Sequence, residues 1–163
     1  MADTKINYRG KGFWIEESFI ELLSEYISKT FETIGLNTFS TNLLQIYNDC
    51  DTNRSGESTG MVGILLDRYI NNIEDKNNLI SIFQQTKTSI TDLGSEISIN
   101  QLNQFEDNKF DPYFASYWSI PVKTQSLLTT IDIMISLLNQ TYQGTNTNIC
   151  YNGYPAIPEA TII

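Results

Sequence analysis

Histidine is missing from all 163 residues, and with it the commonest general acid/base and the commonest metal ligand. Carboxylates, lysine, tyrosine and cysteine could still do chemistry, so the gap weighs against an enzyme without excluding one. Cysteine is scarce. Cys50 and Cys150 are too few for a disulfide framework, and their spacing suits no zinc site. Two buried thiols are the default; a Cys50–Cys150 bridge closing a long loop is the alternative. No Gly-x-Ser-x-Gly elbow, phosphate-binding glycine loop or dinucleotide-binding glycine pattern occurs. Long apolar runs are also lacking: Leu127 to Leu138 is interrupted by Thr129, Thr130, Asp132 and Ser136, which excludes a spanning helix there. The opening Met1-Ala2-Asp3-Thr4-Lys5 has no apolar signal stretch, so the chain reads as cytoplasmic.

Positive charge is the remaining shortage. Ten Lys plus Arg against nineteen Asp plus Glu leave a net charge of −9. That sign repels phosphate backbones, so a nucleic-acid partner is not expected. It favours encounter with a basic protein surface, or it simply keeps the domain soluble. What is present is globular: 40% hydrophobic and 12% aromatic residues can offset the entropy of ordering the chain.

Residues 1–12 read as an extended lead-in. From Phe13 to Ile34 the apolar positions Phe19, Leu23, Tyr26, Ile27, Phe31 and Ile34 recur at helical spacing, and Gly35 stops the helix. A second helix capped by Asn37 or Thr38 carries Phe39, Leu43, Ile46, Tyr47 and Cys50 inward. Asp51 to Gly60 is a loop by composition, and a third helix is expected from about Met61 to Ile73. Leu79, Phe83, Thr86, Ile90 and Leu93 mark a fourth, closed by Gly94. Ser98 with Gln101 forms a capping box for a short helix, and Asp111-Pro112 starts another. The last long helix follows Pro121 and carries Leu127, Ile131, Met134, Leu138 and Tyr142 to Gly144. Asn152-Gly153 signals a hairpin in an irregular tail, 145–163. The expected fold is all-α, a single helical domain of five to six helices with a small C-terminal hairpin or extended tail.

Each candidate site has two readings. Asp51, Asn53, Ser55 and Gly56 imitate the start of a calcium loop, but Val62 stands where the bidentate glutamate belongs, so a plain polar turn is preferred and no metal is expected. Glu17, Glu21 and Glu25 step four residues apart with no interleaved lysine, at a cost of about 0.2–0.5 kcal/mol per like-charged pair. They form either a solvated acidic face or a docking face for basic groups. Phe110, Tyr113, Phe114, Tyr117 and Trp118 fall at i, i+3, i+4, i+7 and i+8, the spacing of a buried helical face, and tyrosine and tryptophan are also interface residues. Phe13-Trp14 carries the same pair of readings. Cys50 lies between Asp49 and Asp51, whose charges would raise its thiol pKa and blunt it as a nucleophile.

In size, acidity, missing catalytic residues and the opening Gly12-Phe13-Trp14-Ile15 followed by an acidic helix, the chain resembles the small acidic immunity proteins encoded beside bacterial toxins in contact-dependent and polymorphic toxin systems. The resemblance implies a non-enzymatic protein that binds and neutralises a cognate toxin with a basic surface, without cofactor, nucleic acid or membrane. Glu17, Glu21, Glu25, Tyr117 and Trp118 are the expected contact residues. The alternative is a helical adaptor that self-associates, as a homodimer, through its aromatic face.

Overall fold

The computed structural model describes residues 3–57, 62–144 and 148–149. The chain opens on a β-hairpin. Strands β1 (Asp3–Tyr8) and β2 (Lys11–Glu16) pair antiparallel, with Ile6 opposite Phe13 and Thr4 opposite Ile15. The two-residue turn is Arg9-Gly10, at φ 48° and 81°, the double positive φ that matches the twist of the flanking strands. Alternation then does its usual work: Ile6, Tyr8, Phe13 and Ile15 are buried, while Trp14 faces outward with the Lys5 ammonium 5.1 Å from its ring centroid. Gly12 lies opposite Asn7, and a Cβ there would come within 2.4 Å of the Ile6 carbonyl oxygen. The strands can approach only because that side chain is missing.

This hairpin overturns the all-α expectation. The molecule is mixed α/β with a helical majority. The lead-in and the first residues assigned to a helix have a period of two, and helical periodicity begins only at α1 (Glu17–Ile34). Phe19, Leu23, Ile27 and Phe31 are buried along it as their spacing requires, and Gly35 ends it by donating its N–H to the Phe31 carbonyl at 3.0 Å. Ser40, rather than Asn37 or Thr38, caps α2 (Thr41–Ser55), accepting the Leu43 N–H at 3.2 Å.

Between α2 and the next long helix the sequence reading fails for a clear reason. The segment assigned to a loop from Asp51 is helical to Ser55, and the helix expected over 61–73 is replaced, among the described residues, by an irregular run through Leu65 and a single turn, α3 (Leu66–Tyr69). Asn53, buried on α2, decides this. Its amide donates to the Gly63 carbonyl at 2.9 Å and accepts the Gly63 N–H at 3.2 Å, while Asp49 accepts the Leu65 N–H at 2.9 Å. Backbone groups that a helix would have paired internally are held by side chains of another helix.

Helix α4 (Ile73–Thr91) starts on the Asn72 cap; Glu74 to Asn77, which could have broken a helix, form its first turn. The capping box at Ser98 opens α5 (Ile99–Asp107) as expected. Short strands β3 (Glu96–Ile97) and β4 (Val122–Lys123) pair antiparallel before α6 (Thr124–Leu138). That last helix stops well before Gly144: Gln140 takes φ 57°, and the Thr141 N–H reaches the Ser136 carbonyl at 2.9 Å. Helix α1 packs against α2 and α4, and α6 against α4 and β1, around one hydrophobic core. Of the tail, β5 (Asn148–Ile149) runs parallel to β2 at Trp14–Ile15; the expected hairpin at Asn152-Gly153 and Cys150 lie outside the described residues. Among the described residues no helix is long and apolar enough to cross a membrane.

Candidate functional site

The segment joining α5 to β4 does not form the aromatic helix its spacing suggests. Asp111 accepts the Tyr113 N–H at 2.9 Å and Pro112 sets the next φ, but the turn they start is a 3-10 turn of three residues, Pro112–Phe114. Without further helical turns no stripe forms. Phe110, Tyr113 and Tyr117 are 80, 87 and 83% exposed, whereas Trp118 is only 6% exposed. Buried core packing is thus overturned for three of the rings, while Trp118 lies in the core.

Trp118 anchors the loop. Its backbone N–H donates to Asn103 at 2.9 Å, its carbonyl accepts from the Asn103 amide at 3.2 Å, and its indole N–H donates to Glu106 at 2.8 Å. Glu106 is buried at the end of α5 and also accepts the Ser116 N–H at 2.8 Å. The Lys109 ammonium lies 2.7 Å from Glu106 and also bonds Glu21 on α1. Across from it, Gly56 at φ 70° is pressed against the Lys109 stem, where a Cβ would come within 3.2 Å. The Phe110 N–H donates to the Ser55 carbonyl at 2.8 Å, tying the other end of the loop to α2. The attachments through Phe110 N–H, Lys109, Ser116 and Trp118 hold the loop to α1, α2 and α5, and three of its rings are exposed.

The acidic stripe on α1 divides among three roles. Glu21 is turned onto Lys109, and burial raises its carboxyl pKa against the opposing pull of that ammonium. Glu25 bonds Lys29 at 2.6 Å and Arg54 at 3.3 Å, and Arg54 also reaches Asp51 at 2.7 Å and Glu32. One counterion, Lys29, comes from α1 itself one turn after Glu25, and the others arrive from α2 and from the loop after α5. Glu21 and Glu25 are thus both already paired within the chain. Glu17 makes no salt bridge among the described residues; it lines a cleft of about 430 Å³ with Asp3, Lys5, Trp14, Asp49 and Leu65. Burial raises the Asp49 carboxyl pKa there, partly offset by its bond from Leu65.

The cleft and the loop are neighbours. Glu17 is one turn from Glu21, about 6 Å along α1. On α2, Thr52 lines the cleft and Ser55 holds Phe110. Phe110 and Tyr113, absent from the expected contact residues, are the rings the structure leaves exposed together with Tyr117. Length gave no cue, since residues 112–120 are as many as α5 holds.

Other candidates are occupied internally. Asp51 pairs with Arg54, Asn53 with Gly63 and Ser24, and the Ser55 hydroxyl donates to the Thr52 carbonyl, so the calcium-like segment is an ordinary helix end. Cys50 is a buried free thiol whose pKa is pushed up by burial first and by Asp49 second. No known protein family, no curated protein and no solved structure matches the chain.

Proposed function

We propose that the chain is a non-enzymatic binding protein whose contact surface is the aromatic loop Phe110–Tyr117 together with the Glu17 cleft, and that its partner is a basic protein. The observation that carries this reading is the triple exposure of Phe110, Tyr113 and Tyr117 on a loop locked by buried charges. Leaving such rings in water forgoes about 1.5–3 kcal/mol each relative to burial. Tyrosine on a rigid support loses little entropy on contact and is the commonest kind of interface anchor.

Charge selects the partner. Between Asp107 and Ile120 the single basic side chain, Lys109, is buried against carboxylates, so the loop presents rings and Asp111 without an available cation. Arginine and lysine on a partner would meet ring faces here and carboxylates in the cleft. Together with the small size, acidity and missing catalytic residues, this supports an immunity protein that neutralises a cognate toxin in the cytoplasm by covering a basic working surface. The same exposed rings favour one other reading, self-association through the loop, which the net charge of −9 opposes.

Pull-down from the native source, with mixing against the product of the adjacent gene, tests the proposal. The expected result is a stable complex lost in the triple variant Phe110→Ala, Tyr113→Ala, Tyr117→Ala, which keeps the fold. A complex of undiminished affinity in that variant would refute the assigned surface. Light scattering showing a concentration-dependent dimer lost in the same variant would replace it with self-association.

A further inference from the structure

At the other end of the hairpin, about 15 Å from the Glu17 cleft by strand rise, lies a second cleft of different chemistry. It encloses about 350 Å³ and is lined by Tyr8, Arg9, Asn71, Asn72, Ile73, Lys76 and Gln140. In a chain with nineteen acids, no carboxylate is among these lining residues, and neither Arg9 nor Lys76 has a salt-bridge partner among the described residues. Arg9 is placed by its strand and by Asp67: the guanidinium sits 5.3 Å from the Tyr8 ring centroid, the Tyr8 hydroxyl donates to the Ile70 carbonyl at 3.3 Å, and the Asp67 carboxylate beside the cleft accepts the Arg9 backbone N–H at 2.6 Å. Lys11 donates to the Tyr142 carbonyl at 2.9 Å, which holds the segment carrying Gln140 against the hairpin.

The backbone adds an independent observation. Among the described residues two that are not glycine have positive φ, Arg9 and Gln140, and both line this cleft. Each occupies a turn position where glycine or asparagine would be less strained, the first in a hairpin turn and the second after a helix end. The shared cleft supplies a reason for both.

We propose that this cleft binds a small phosphate monoester, with the phosphate between Arg9 and Lys76 and the Gln140 amide as a further donor. Two cations match the charge of a phosphate dianion, and the guanidinium fork suits its paired oxygens. The exposed Ile73 side chain gives the organic portion an apolar wall. The start of α4 is not needed for this: Asn72 already caps it, and the Asp75 carboxylate there accepts from Ser40 and from the Asn42 and Asn72 amides. Charges beyond about 8 Å are screened at physiological salt, and the two nearer acids that oppose an anion are engaged by donors: Asp67 by the Arg9 N–H and the Asn7 amide, Asp75 by Ser40, Asn42 and Asn72.

The test is titration of the full chain with inorganic phosphate at constant ionic strength, followed by backbone amide chemical shifts, with acetate as the monoanion control. Saturable shifts are expected at Arg9, Gly10, Asn71, Lys76 and Gln140, with acetate at least tenfold weaker. Arg9→Gly relieves a strained φ, so its Tm should be unchanged or higher while phosphate affinity falls at least tenfold; Lys76→Gln should weaken binding similarly. Shifts that do not saturate, that acetate reproduces equally, or that survive in Arg9→Gly overturn the site. None of these outcomes bears on the aromatic loop.

Discussion

Replacing Lys109 by methionine would keep the stem that packs on Gly56 and remove the ammonium between Glu21 and Glu106. The Glu106 side chain is 0% exposed and that of Glu21 12%, so neither carboxylate can turn to water without moving the loop. Glu106 retains its bonds from Trp118 and Ser116, but two buried negative charges are left facing each other. Breaking a buried pair by deleting one partner costs about 3–5 kcal/mol, a large part of a total stability of about 5–15 kcal/mol. At about 2–4 °C per kcal/mol for a chain of this size, Tm should fall by roughly 10 °C. The pH dependence gives the mechanism a second signature. Burial already holds the Glu21 pKa above its ordinary 4.5, so its contribution to stability is full below the unfolded value and is lost as pH rises through the folded one. Without Lys109 the folded value rises further, so the deficit of the variant is greatest at neutral pH and shrinks as the solution is acidified. Urea unfolding followed by tryptophan fluorescence at several pH values measures both. A loss below about 1 kcal/mol at neutral pH, or one that stays constant on acidification, would refute the buried-clamp argument.

Gly12→Ala places a methyl group against the Ile6 carbonyl and should cost about 1–3 kcal/mol, read by thermal unfolding; an unchanged Tm would mean the strands have room that the hairpin geometry denies. Asn53→Ala removes both partners of Gly63 and should cost about 1–3 kcal/mol, with faster hydrogen exchange at Gly63 and Leu65; preserved protection there would argue against the amide as the cause of the irregular segment. For Asp75 burial acts to raise the pKa, but hydrogen bonds from Ser40, Asn42 and Asn72 outweigh it and hold the carboxyl below its ordinary 3.8. Its contribution is therefore present above the unfolded value and lost as pH falls through the folded one, so Asp75→Asn should flatten the acid limb of a stability–pH curve. An acid limb identical to that of the parent chain would exclude Asp75 as a contributor.

Local chemistry was legible where it acts locally. The buried faces of α1, α4 and α6, the Ser98–Gln101 box and the Gly35 stop all follow from spacing or from residues within one helical turn. The misreadings share a feature: a partner remote in sequence. Phe13 and Ile15 suit a strand or a helix start until β1 lies beside them at the closeness Gly12 permits. The acidic spacing of Glu21 and Glu25 shows Lys29 one turn on, but not Lys109 and Arg54, which close on the two carboxylates from 88 and 29 residues away.

Composition alone determined that the molecule carries excess negative charge, lacks histidine and can build amphipathic helices with a core. Tertiary structure alone decided which of its acids are spent internally and which of its rings stay in water. Periodicity reports the face a residue would show if its element formed. Whether a loop replaces that element depends on buried hydrogen bonds and ion pairs, such as those of Glu106, that exist only after distant segments meet.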